Sequence, residues 1–293
     1  MPKWEDDISL NHDSTDEFDN LPAPAEMAID AFLKLKPLPA DLIGDRSIES
    51  FVRKDHIPIP SVDDREGYNP NNSARFFFTG LVDHLKILAA AKRHNVSIES
   101  YFDFGCASGR VLRHFANHTD IPNLWGSDIN GRHIQWLNDH MPPNVKVIHN
   151  SCIPIIPIAD NSIDVVSAFS VFTHIDTFET AWLAELYRVL KPGGICYLSV
   201  QNEDTWELMQ NSGEKDILYQ RFKKIDPGFD QIIQSPIPKN RRSFRYTDLG
   251  AYRALVVHSN DYLQKTWGRY FDILEIRKLD HNVWQSVFIG RKK

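Results

Sequence analysis

From residue 100 onward, short apolar runs alternate with longer amphipathic stretches. Each run has the length of a buried strand, and most gaps between the first five runs suit one helix. The predicted strands are Ser100–Phe104, Asn123–Ser127, Val145–His149, Asp164–Phe169, Gly194–Val200, Phe271–Ile276 and Val283–Gly290. The predicted helices are Arg110–Asn117, Arg132–His140 and Thr177–Leu190. This alternation predicts an α/β fold with a doubly wound parallel sheet, and the last two strands predict an antiparallel hairpin at its edge.

The remaining segments complete a prediction of five parts. Residues 1–25 are acidic and predict a flexible tail. Residues 26–98 predict an N-terminal arm with a short helix over Glu26–Leu35 and a longer one over Ala74–Arg93, for which Ser73 is the N-cap. Residues 99–206 form the core, residues 207–255 an inserted substrate cap, and residues 256–293 a helix and the edge hairpin.

Composition places the chain among ordinary globular proteins. It has 293 residues, of which 42% are hydrophobic and 25% charged, so disorder, collagen and coiled coil are excluded as overall classes. No apolar run approaches the roughly 18 residues that span a bilayer, and the first 20 residues do not resemble a signal peptide. We therefore expect a cytoplasmic protein that does not insert into membranes. Three widely spaced cysteines predict neither disulfides nor a zinc site, and we predict no metal.

The net charge of −6 comes from the first 20 residues, which carry seven acids and one lysine. The rest of the chain has 32 basic and 32 acidic residues. A body without excess positive charge makes nucleic acid an unlikely partner.

The strongest candidate for chemistry is the turn after the first core strand. Phe104 ends the strand, small residues follow from Gly105 to Gly109, and an amphipathic helix begins. Small residues let a ligand approach the backbone, and the helix N-terminus favours an anionic group. By itself such a turn is also compatible with close packing alone. Asp128 at the end of the next strand favours ligand binding over close packing alone, because a carboxylate there can accept hydrogen bonds from both hydroxyls of a ribose.

These features together predict an adenosine pocket, and the spacing bears on its cofactor. A nicotinamide dinucleotide site has the pattern Gly-x-Gly-x-x-Gly, whereas here Ala107 and Arg110 occupy the second and third glycine positions. A dinucleotide is therefore disfavoured. S-adenosylmethionine has no phosphate and carries one amino-acid carboxylate.

Four motifs in order resemble the class I S-adenosylmethionine-dependent methyltransferases. Asp103–Arg110 resembles their glycine-rich first motif, and Asp128 matches the acid that ends their second strand. Pro157–Val166 is similar to the stretch entering their fourth strand, and Leu186–Gly194 to the helix and turn before their fifth. Independently of the family, Lys191–Gly194 predicts a helix stop with glycine at a positive-φ C-cap.

A narrower likeness involves the segment after the fourth strand. Ser170–His174 resembles a Ser-Val-Phe-Thr-His segment of a bacterial branch of the type 11/12 methyltransferases. Arg65–Tyr68, Ser73 and Phe76–Gly80 resemble the N-terminal arm of that branch. The likeness implies a Rossmann-like seven-stranded sheet with an antiparallel C-terminal hairpin, an N-terminal arm and an inserted cap.

The likeness also implies the site residues. Those expected to bind S-adenosylmethionine are Asp103, Gly105, Cys106, Ala107, Ser108, Gly109, Arg110, Asp128, Ile129, Asn150, Ser151, Cys152 and Ser170. Two positions depart from the family. Alanine replaces the usual glycine at Ala107, and the loop after the third strand lacks the Asp that many members use for adenine. Asn150, Ser151 or backbone groups must then bind the adenine.

On the acceptor side, the family fold implies that Ser170, Phe172, Thr173 and His174 line the active site. Two interpretations of His174 stay open, a general base and a structural histidine that caps a helix or bonds the backbone. The cap has nine basic and six acidic residues, and two interpretations of it also stay open. It is either a solvated loop or a lid in which Arg241, Arg242 and Arg245 bind a phosphate or carboxylate of the acceptor.

The leading hypothesis is a methyltransferase acting on a small molecule or glycan. The alternative is a catalytically silent S-adenosylmethionine-binding protein or partner subunit, which the two departures leave open. A nicotinamide oxidoreductase is the third and is disfavoured by the turn spacing. The sequence does not indicate the acceptor atom or the oligomeric state.

Overall fold

The computed structural model describes residues 18–35, 37–68, 71–246 and 254–293 of the chain. Residues 1–17, most of the predicted acidic tail, lie outside the described residues. In the described part, no helix has the length and apolar character needed to cross a lipid bilayer.

Eleven strands occur among the described residues, and seven of them form one sheet in the order β10-β11-β7-β6-β3-β4-β5. The strands are β1 (Asn20–Leu21), β2 (Ile59–Pro60), β3 (Ser100–Phe104), β4 (Asn123–Asp128), β5 (Val145–His149), β6 (Ile163–Ala168), β7 (Leu190–Val200), β8 (Arg241–Arg245), β9 (Ala254–His258), β10 (Phe271–His281) and β11 (Gln285–Lys292). β3 pairs in parallel with β4, and β4 with β5, whereas β11 is antiparallel to both β7 and β10. The predicted doubly wound α/β fold with an antiparallel C-terminal hairpin is therefore confirmed.

Eleven α-helices connect or flank these strands in the described part of the chain. They are α1 (Asp30–Leu33), α2 (Ala40–Ile43), α3 (Ile48–Val52), α4 (Ser73–Arg93), α5 (Leu112–His118), α6 (Gly131–His140), α7 (Glu179–Val189), α8 (Glu203–Ser212), α9 (Ile217–Ile225), α10 (Phe229–Ile232) and α11 (Asn260–Thr266). Short 3-10 turns occur at Pro24–Glu26, Asp63–Arg65, Gly213–Lys215 and Trp267–Arg269. The described residues separate into an N-terminal unit, residues 18–150 with Ile163–Val165, and a C-terminal unit, residues 151–162 and those described from 166 to 293.

In the N-terminal unit, the arm packs on α4 through a cluster of buried aromatic and aliphatic side chains. Its members include Phe32, Phe51, Val52, Ile59, Phe76, Phe77 and Leu81. β1 pairs with β2, and the Trp136 indole donates a hydrogen bond to Asn20 Oδ1 at 2.8 Å. The arm therefore begins before residue 26, inside the segment that composition predicts to be a flexible tail.

Two predicted helix ends differ from the structure. Asn72, rather than Ser73, is the N-cap of α4, because its Oδ1 accepts from the Arg75 amide at 2.8 Å. Ser73 Oγ instead accepts a hydrogen bond from the Arg65 guanidinium. α7 ends at Val189 with Leu190 already extended, so Gly193 takes its positive φ of 80° beyond the helix rather than as its cap. The predicted helix over Glu26–Leu35 is reduced to the single turn of α1 and the preceding 3-10 turn.

In the C-terminal unit, the predicted cap has its own apolar core. α8, α9 and α10 pack against the β8–β9 ribbon through Trp206, Met209, Leu218, Tyr219, Phe222, Phe229, Phe244, Leu255 and Val257. All five aromatic rings of this set form edge-to-face or stacked pairs, among them Phe222 and Phe229 at 5.1 Å between centroids. The cap is thus a helical layer on a two-stranded ribbon rather than a solvated loop, with residues 247–253 outside the described part.

Three histidines of the N-terminal unit lie together between α4 and α5. Burial lowers the pKa of His84 and His114 far below the ordinary value, and lowers that of His118 to about 4. The neighbouring histidines lower the pKa values of His84 and His114 further, with Arg46 adding to the effect at His84 and Arg113 at His114. At His118, Asp55 opposes the effect of burial, and nearby cations add to it. These side chains are therefore neutral at pH 7 in the folded protein.

This cluster predicts that the protein loses stability in acid. Below pH 6.5 the unfolded chain protonates these histidines and the folded chain does not, so the free energy of unfolding falls as pH falls. Each such histidine contributes a slope of up to about 1.4 kcal/mol per pH unit. Urea unfolding at pH 7, 6 and 5 with a chelator present is expected to show a weaker pH dependence for His118→Gln than for the unsubstituted protein. Equal pH dependence in the two proteins would contradict the assignment.

Candidate functional site

The turn after β3 adopts an unusual backbone that its small residues permit. Gly105, Ala107 and Gly109 all have positive φ, at 72°, 45° and 76°. The amides of Gly105 and Cys106 both donate to the Ser127 carbonyl, at 2.8 and 2.9 Å. The loop is therefore attached to the end of β4, beside Asp128.

Asp128 organises this loop through its side chain. Its Oδ2 accepts a hydrogen bond from the Ala107 amide at 2.8 Å, and its Oδ1 accepts one from the Asn130 amide at 2.9 Å. The side chain remains 12% exposed. A carboxylate offers about four lone-pair sites, so two backbone bonds leave acceptor capacity for two further donors.

His133, in the first turns of α6, faces the same carboxylate. Its Nδ1 lies 3.9 Å from Asp128 Oδ1, and its Nε2 lies 3.5 Å from Glu66 Oε1. Burial alone would lower the pKa of His133. The nearby Asp128 carboxylate, with the charges of Glu66 and Asp64, outweighs burial and raises that pKa. Sequence reasoning missed His133, although its place one turn into the helix after Asp128 was a usable signal.

The rest of the loop is held by the arm and α4. Ser108 Oγ donates to the Asp64 carbonyl at 2.6 Å, and the buried Arg110 guanidinium pairs with Asp83 at 2.8 Å. Arg110 also lies over the Tyr68 ring, 4.3 Å from its centroid. These two predicted cofactor residues therefore make contacts that fix the loop to the arm, which the sequence analysis did not anticipate.

Close approach explains two glycines around the loop. A Cβ on Gly80 of α4 would lie 2.0 Å from the Arg110 carbonyl oxygen, so only glycine lets the helix pass the loop. A Cβ on Gly126 would lie 2.9 Å from Cys106 Sγ. That thiol is buried, and burial together with Asp128 and Asp103 raises the pKa of Cys106 well above its ordinary value. Cys106 is thus an uncharged packing group beneath the loop.

The other predicted cofactor residues of this unit lie around the ends of β3, β4 and β5. Asp103 is buried within β3. The Ile129 carbonyl lies 3.1 Å from His149 Nε2, and the Asn150 amide donates to the Asp128 carbonyl at 3.1 Å. The structure therefore brings Gly105, Ala107, Asp128, Ile129 and Asn150 together at one edge of the parallel strands.

In the C-terminal unit, the residues after β6 form a second set. Ser170 has a positive φ of 58°, and its amide donates to Ser199 Oγ at 2.7 Å. Gln285 bonds both serines, donating to Ser170 Oγ at 3.0 Å and accepting from Ser199 Oγ at 2.7 Å. Ser151 Oγ accepts from the Ile153 amide at 3.2 Å, and Cys152 is buried.

His174 is oriented by the backbone of β9. Its Nδ1 lies 2.7 Å from the Ala254 carbonyl oxygen, which can only accept, so Nδ1 carries the proton. In the neutral ring the lone pair is then on Nε2, the arrangement that a general base requires. Phe172 and Thr173 are fully buried, and Phe172 packs edge-on against Trp267 with 5.0 Å between centroids.

The three predicted lid arginines have separate environments. Arg241 donates to the Asp176 carbonyl at 2.8 Å and lies 3.4 Å from Glu179, while Arg245 forms an ion pair with Asp176. The Arg242 guanidinium lies over the Phe244 ring, 5.2 Å from its centroid. Two of the three arginines therefore attach the ribbon to the segment after β6.

Glu179 is the hub of a buried network that the sequence analysis did not identify. Its carboxylate accepts from the Trp267 indole at 2.7 Å and lies 3.1 Å from His258 Nε2. Burial would raise the pKa of Glu179, but His258, Trp267 and Arg241 outweigh burial and lower it. Nothing in the local pattern distinguishes Glu179, because its partners come from residues about 60 to 90 positions later in the chain.

The N-terminal site fits the adenosine end of S-adenosylmethionine by the chemistry of its donors and acceptors. The Asp128 carboxylate retains acceptor capacity that matches two ribose hydroxyls, and the positive-φ loop presents backbone rather than bulky side chains.

Comparison with known proteins agrees with this fit. Residues 102–198 match the family model described as "Methyltransferase domain". The matched segment runs from β3 to near the end of β7 and includes both the loop and Asp128.

Several solved structures are similar at low identity. A Burkholderia thailandensis 1,6-didemethyltoxoflavin-N1-methyltransferase with bound 1,6-didemethyltoxoflavin and S-adenosylhomocysteine is 11% identical, with 79% of this chain and 86% of that chain covered and a TM-score of 0.49. A Thermotoga maritima S-adenosylmethionine-dependent methyltransferase, described as a possible histamine N-methyltransferase, is 16% identical, with 75% and 93% covered and a TM-score of 0.45. A Methanosarcina mazei S-adenosylmethionine-dependent methyltransferase is 20% identical, with 69% and 96% covered and a TM-score of 0.43.

At these identities and TM-scores, the solved structures do not bear on activity or substrate. The family match, the strand order and the loop with Asp128 carry the assignment. Residues 102–198 therefore match the methyltransferase family, and S-adenosylmethionine is the cofactor that this match and the donors and acceptors of the site indicate.

Proposed function

We propose that the protein transfers the methyl group of S-adenosylmethionine to a small-molecule or glycan acceptor. The observation that carries the proposal is the Asp128 carboxylate, which is fixed by the Ala107 and Asn130 amides and keeps acceptor capacity for a ribose. S-adenosylmethionine supplies the reactive sulfonium methyl group, so the protein contributes mainly binding and orientation. Orientation of this kind contributes roughly 7–11 kcal/mol in favourable cases.

In this proposal the residues divide between two tasks. Asp128 binds the ribose hydroxyls, and the backbone from Gly105 to Gly109 faces the methionine part. Ile129, Asn150, Ser151 and Cys152 are assigned to binding the adenine, and Ser170 to binding the methionine part. His174 accepts the proton of an acceptor hydroxyl at Nε2, since its Nδ1 proton is donated to the Ala254 carbonyl. Arg242 binds an anionic group of the acceptor.

One observation favours the alternative of a cofactor-binding protein without turnover. Among the residues predicted on the acceptor side, Phe172 and Thr173 are fully buried, and Arg241 and Arg245 are engaged with Glu179 and Asp176. The structure thus leaves fewer side chains available to bind the methyl acceptor than the sequence predicts.

Binding and turnover measurements separate these functions. In calorimetry, S-adenosylmethionine and S-adenosylhomocysteine are expected to bind and NAD is not. Release of S-adenosylhomocysteine is then measured with a panel of alcohols, phenols, amines, carboxylates and monosaccharides. Release with a panel member supports methyl transfer, binding without release across the panel supports the silent alternative, and preferential binding of NAD overturns both.

The role of His174 predicts a difference between acceptor classes. With a hydroxyl acceptor, His174→Ala is expected to lower kcat by about 10²–10⁴-fold, the usual contribution of a general base, with the KM for S-adenosylmethionine unchanged. His174→Asn keeps a donor towards the Ala254 carbonyl and serves as the matched variant, with kcat lowered to the same extent. Rescue of kcat by asparagine would show that His174 is structural.

A further inference from the structure

A second group of functional side chains lies in the N-terminal unit, in residues that the cofactor site does not use. His114 and His118 stand one turn apart on α5, with 5.5 Å between their ring centroids. Asp55 reaches the same place from the segment between α3 and β2. One ligand atom from each of Asp55, His114 and His118 lies within 4.8 Å of the others.

Ring nitrogens of both histidines are left without hydrogen-bond partners beside this position. His114 Nε2 lies 3.0 Å from the Phe77 carbonyl oxygen and must donate to it, so the lone pair is on Nδ1. Nδ1 of His114 and both ring nitrogens of His118 are shielded from solvent and have no hydrogen-bond partner among the described residues. Buried polar atoms are nearly always partnered, and three such atoms in one cluster indicate a missing ligand.

The chemistry of these three side chains indicates which kind of ligand they would bind. Magnesium and calcium prefer sites made of oxygen ligands, whereas two imidazoles and one carboxylate suit zinc and similar transition metals. The histidines are already in the neutral state that metal binding requires, because burial lowers their pKa values. The His114 ring is also oriented by its bond to the Phe77 carbonyl, as metal-binding histidines commonly are.

Asp55 is not free of other partners, and this limits the affinity. Its Oδ1 accepts from the Ile57 amide at 3.0 Å and from Arg113 at 2.9 Å, and its Oδ2 accepts from Arg113 Nε at 2.8 Å. A carboxylate with about four lone-pair sites retains one of them for a metal ion. The neighbouring guanidinium opposes a second cation, so binding is expected to be weaker than in a cysteine-based zinc site.

We propose that Asp55, His114 and His118 bind a divalent transition-metal ion, with zinc as the best fit, and that the ion joins the arm to α5. In tetrahedral zinc sites the ligand atoms lie about 3.4 Å apart, as bond lengths near 2.1 Å require. The ligand atoms therefore need to close by no more than about 1.4 Å on binding, with water in the remaining position. The sequence analysis predicted no metal because it considered cysteine spacing and not the His-x-x-x-His spacing on α5.

Zinc chloride added to the chelator-treated full-length protein tests the site. Competition with a chromophoric chelator at pH 7 is expected to give one zinc bound per chain. His118→Gln is expected to weaken that binding at least about tenfold, whereas His56→Gln, at an exposed histidine next to Asp55, leaves it unchanged. Zinc is also expected to raise the Tm of the unsubstituted protein and of His56→Gln but not of His118→Gln.

Two results would overturn the proposal. One is that the unsubstituted protein takes up no zinc under these conditions, and the other is that His118→Gln binds it as well as the unsubstituted protein does. If His118→Gln does not fold, a measurement on the unsubstituted protein still tests the proposal. The zinc X-ray absorption spectrum of the protein loaded with one equivalent is expected to show two imidazole ligands, and a shell with none or one contradicts the assignment.

Discussion

Replacing Asp128 with alanine is expected to weaken S-adenosylhomocysteine binding at least about a hundredfold while the protein remains folded. The substitution removes the two hydrogen bonds that the ribose hydroxyls are proposed to donate to this charged acceptor, each of which contributes about 1.5–3 kcal/mol. It also releases the Ala107 and Asn130 amides, which the carboxylate holds at 2.8 and 2.9 Å. Both effects act on the bound state, so the loss in affinity is large. Calorimetric titration with S-adenosylhomocysteine measures it directly.

Matched variants show whether the carboxylate itself is responsible. Asp139→Ala removes an exposed acid from α6 of the same unit and is expected to leave the affinity unchanged. Asp128→Asn keeps an amide oxygen as an acceptor and is expected to give an intermediate loss. In Asp128→Ala the pKa of His133 is also expected to fall, because Asp128 is what raises it against burial. An affinity within twofold of the unsubstituted protein would remove the ribose from this position.

Replacing Asp55 with alanine is expected to destabilise the protein by about 3–5 kcal/mol, the usual effect of leaving one member of a buried ion pair uncompensated. Asp55 and Arg113 are both fully buried, and Arg113 forms two hydrogen bonds to the Asp55 carboxylate. The guanidinium then keeps only the carbonyl oxygens of Ile57 and Pro58 as partners. Urea unfolding with a chelator present measures the change.

An exposed pair of the same type provides the control. Glu49 and Arg53 are both 56% exposed, so Glu49→Ala is expected to cost no more than about 0.5 kcal/mol. The double variant Asp55→Ala with Arg113→Leu is expected to be more stable than Asp55→Ala alone, because no buried charge remains unpaired. A loss below about 1 kcal/mol for Asp55→Ala would show that the pair is solvated.

The core strands could be predicted because periodicity and strand length are local properties of the sequence. Ser100–Phe104 and Val145–His149 match the predicted bounds, and the hairpin of β10 and β11 is antiparallel as expected. Helix ends were less predictable because capping depends on which of two adjacent side chains reaches the backbone. Asn72 caps α4, while the neighbouring Ser73 is bonded by Arg65.

The candidate site was predictable where its residues follow one another along the chain. The Gly105–Gly109 turn and Asp128 come from strand ends that a periodic pattern locates. The contacts that fix Ser108 and Arg110 were not predictable, because Asp64 and Asp83 belong to the arm and to α4. The fold of the cap was also difficult to predict, because its apolar core is spread over several short helices and two strands.

The attachment of the arm to the loop determines which fragments of this protein can be expressed on their own. A chain shortened to the segment that matches the methyltransferase family would lack Asp55, Asp64 and Asp83. Arg110 and Arg113 would then lose their carboxylate partners, and Ser108 would lose its acceptor. The smallest autonomous piece for ligand-binding studies must therefore start upstream of Asp55, far ahead of the boundary that family similarity suggests.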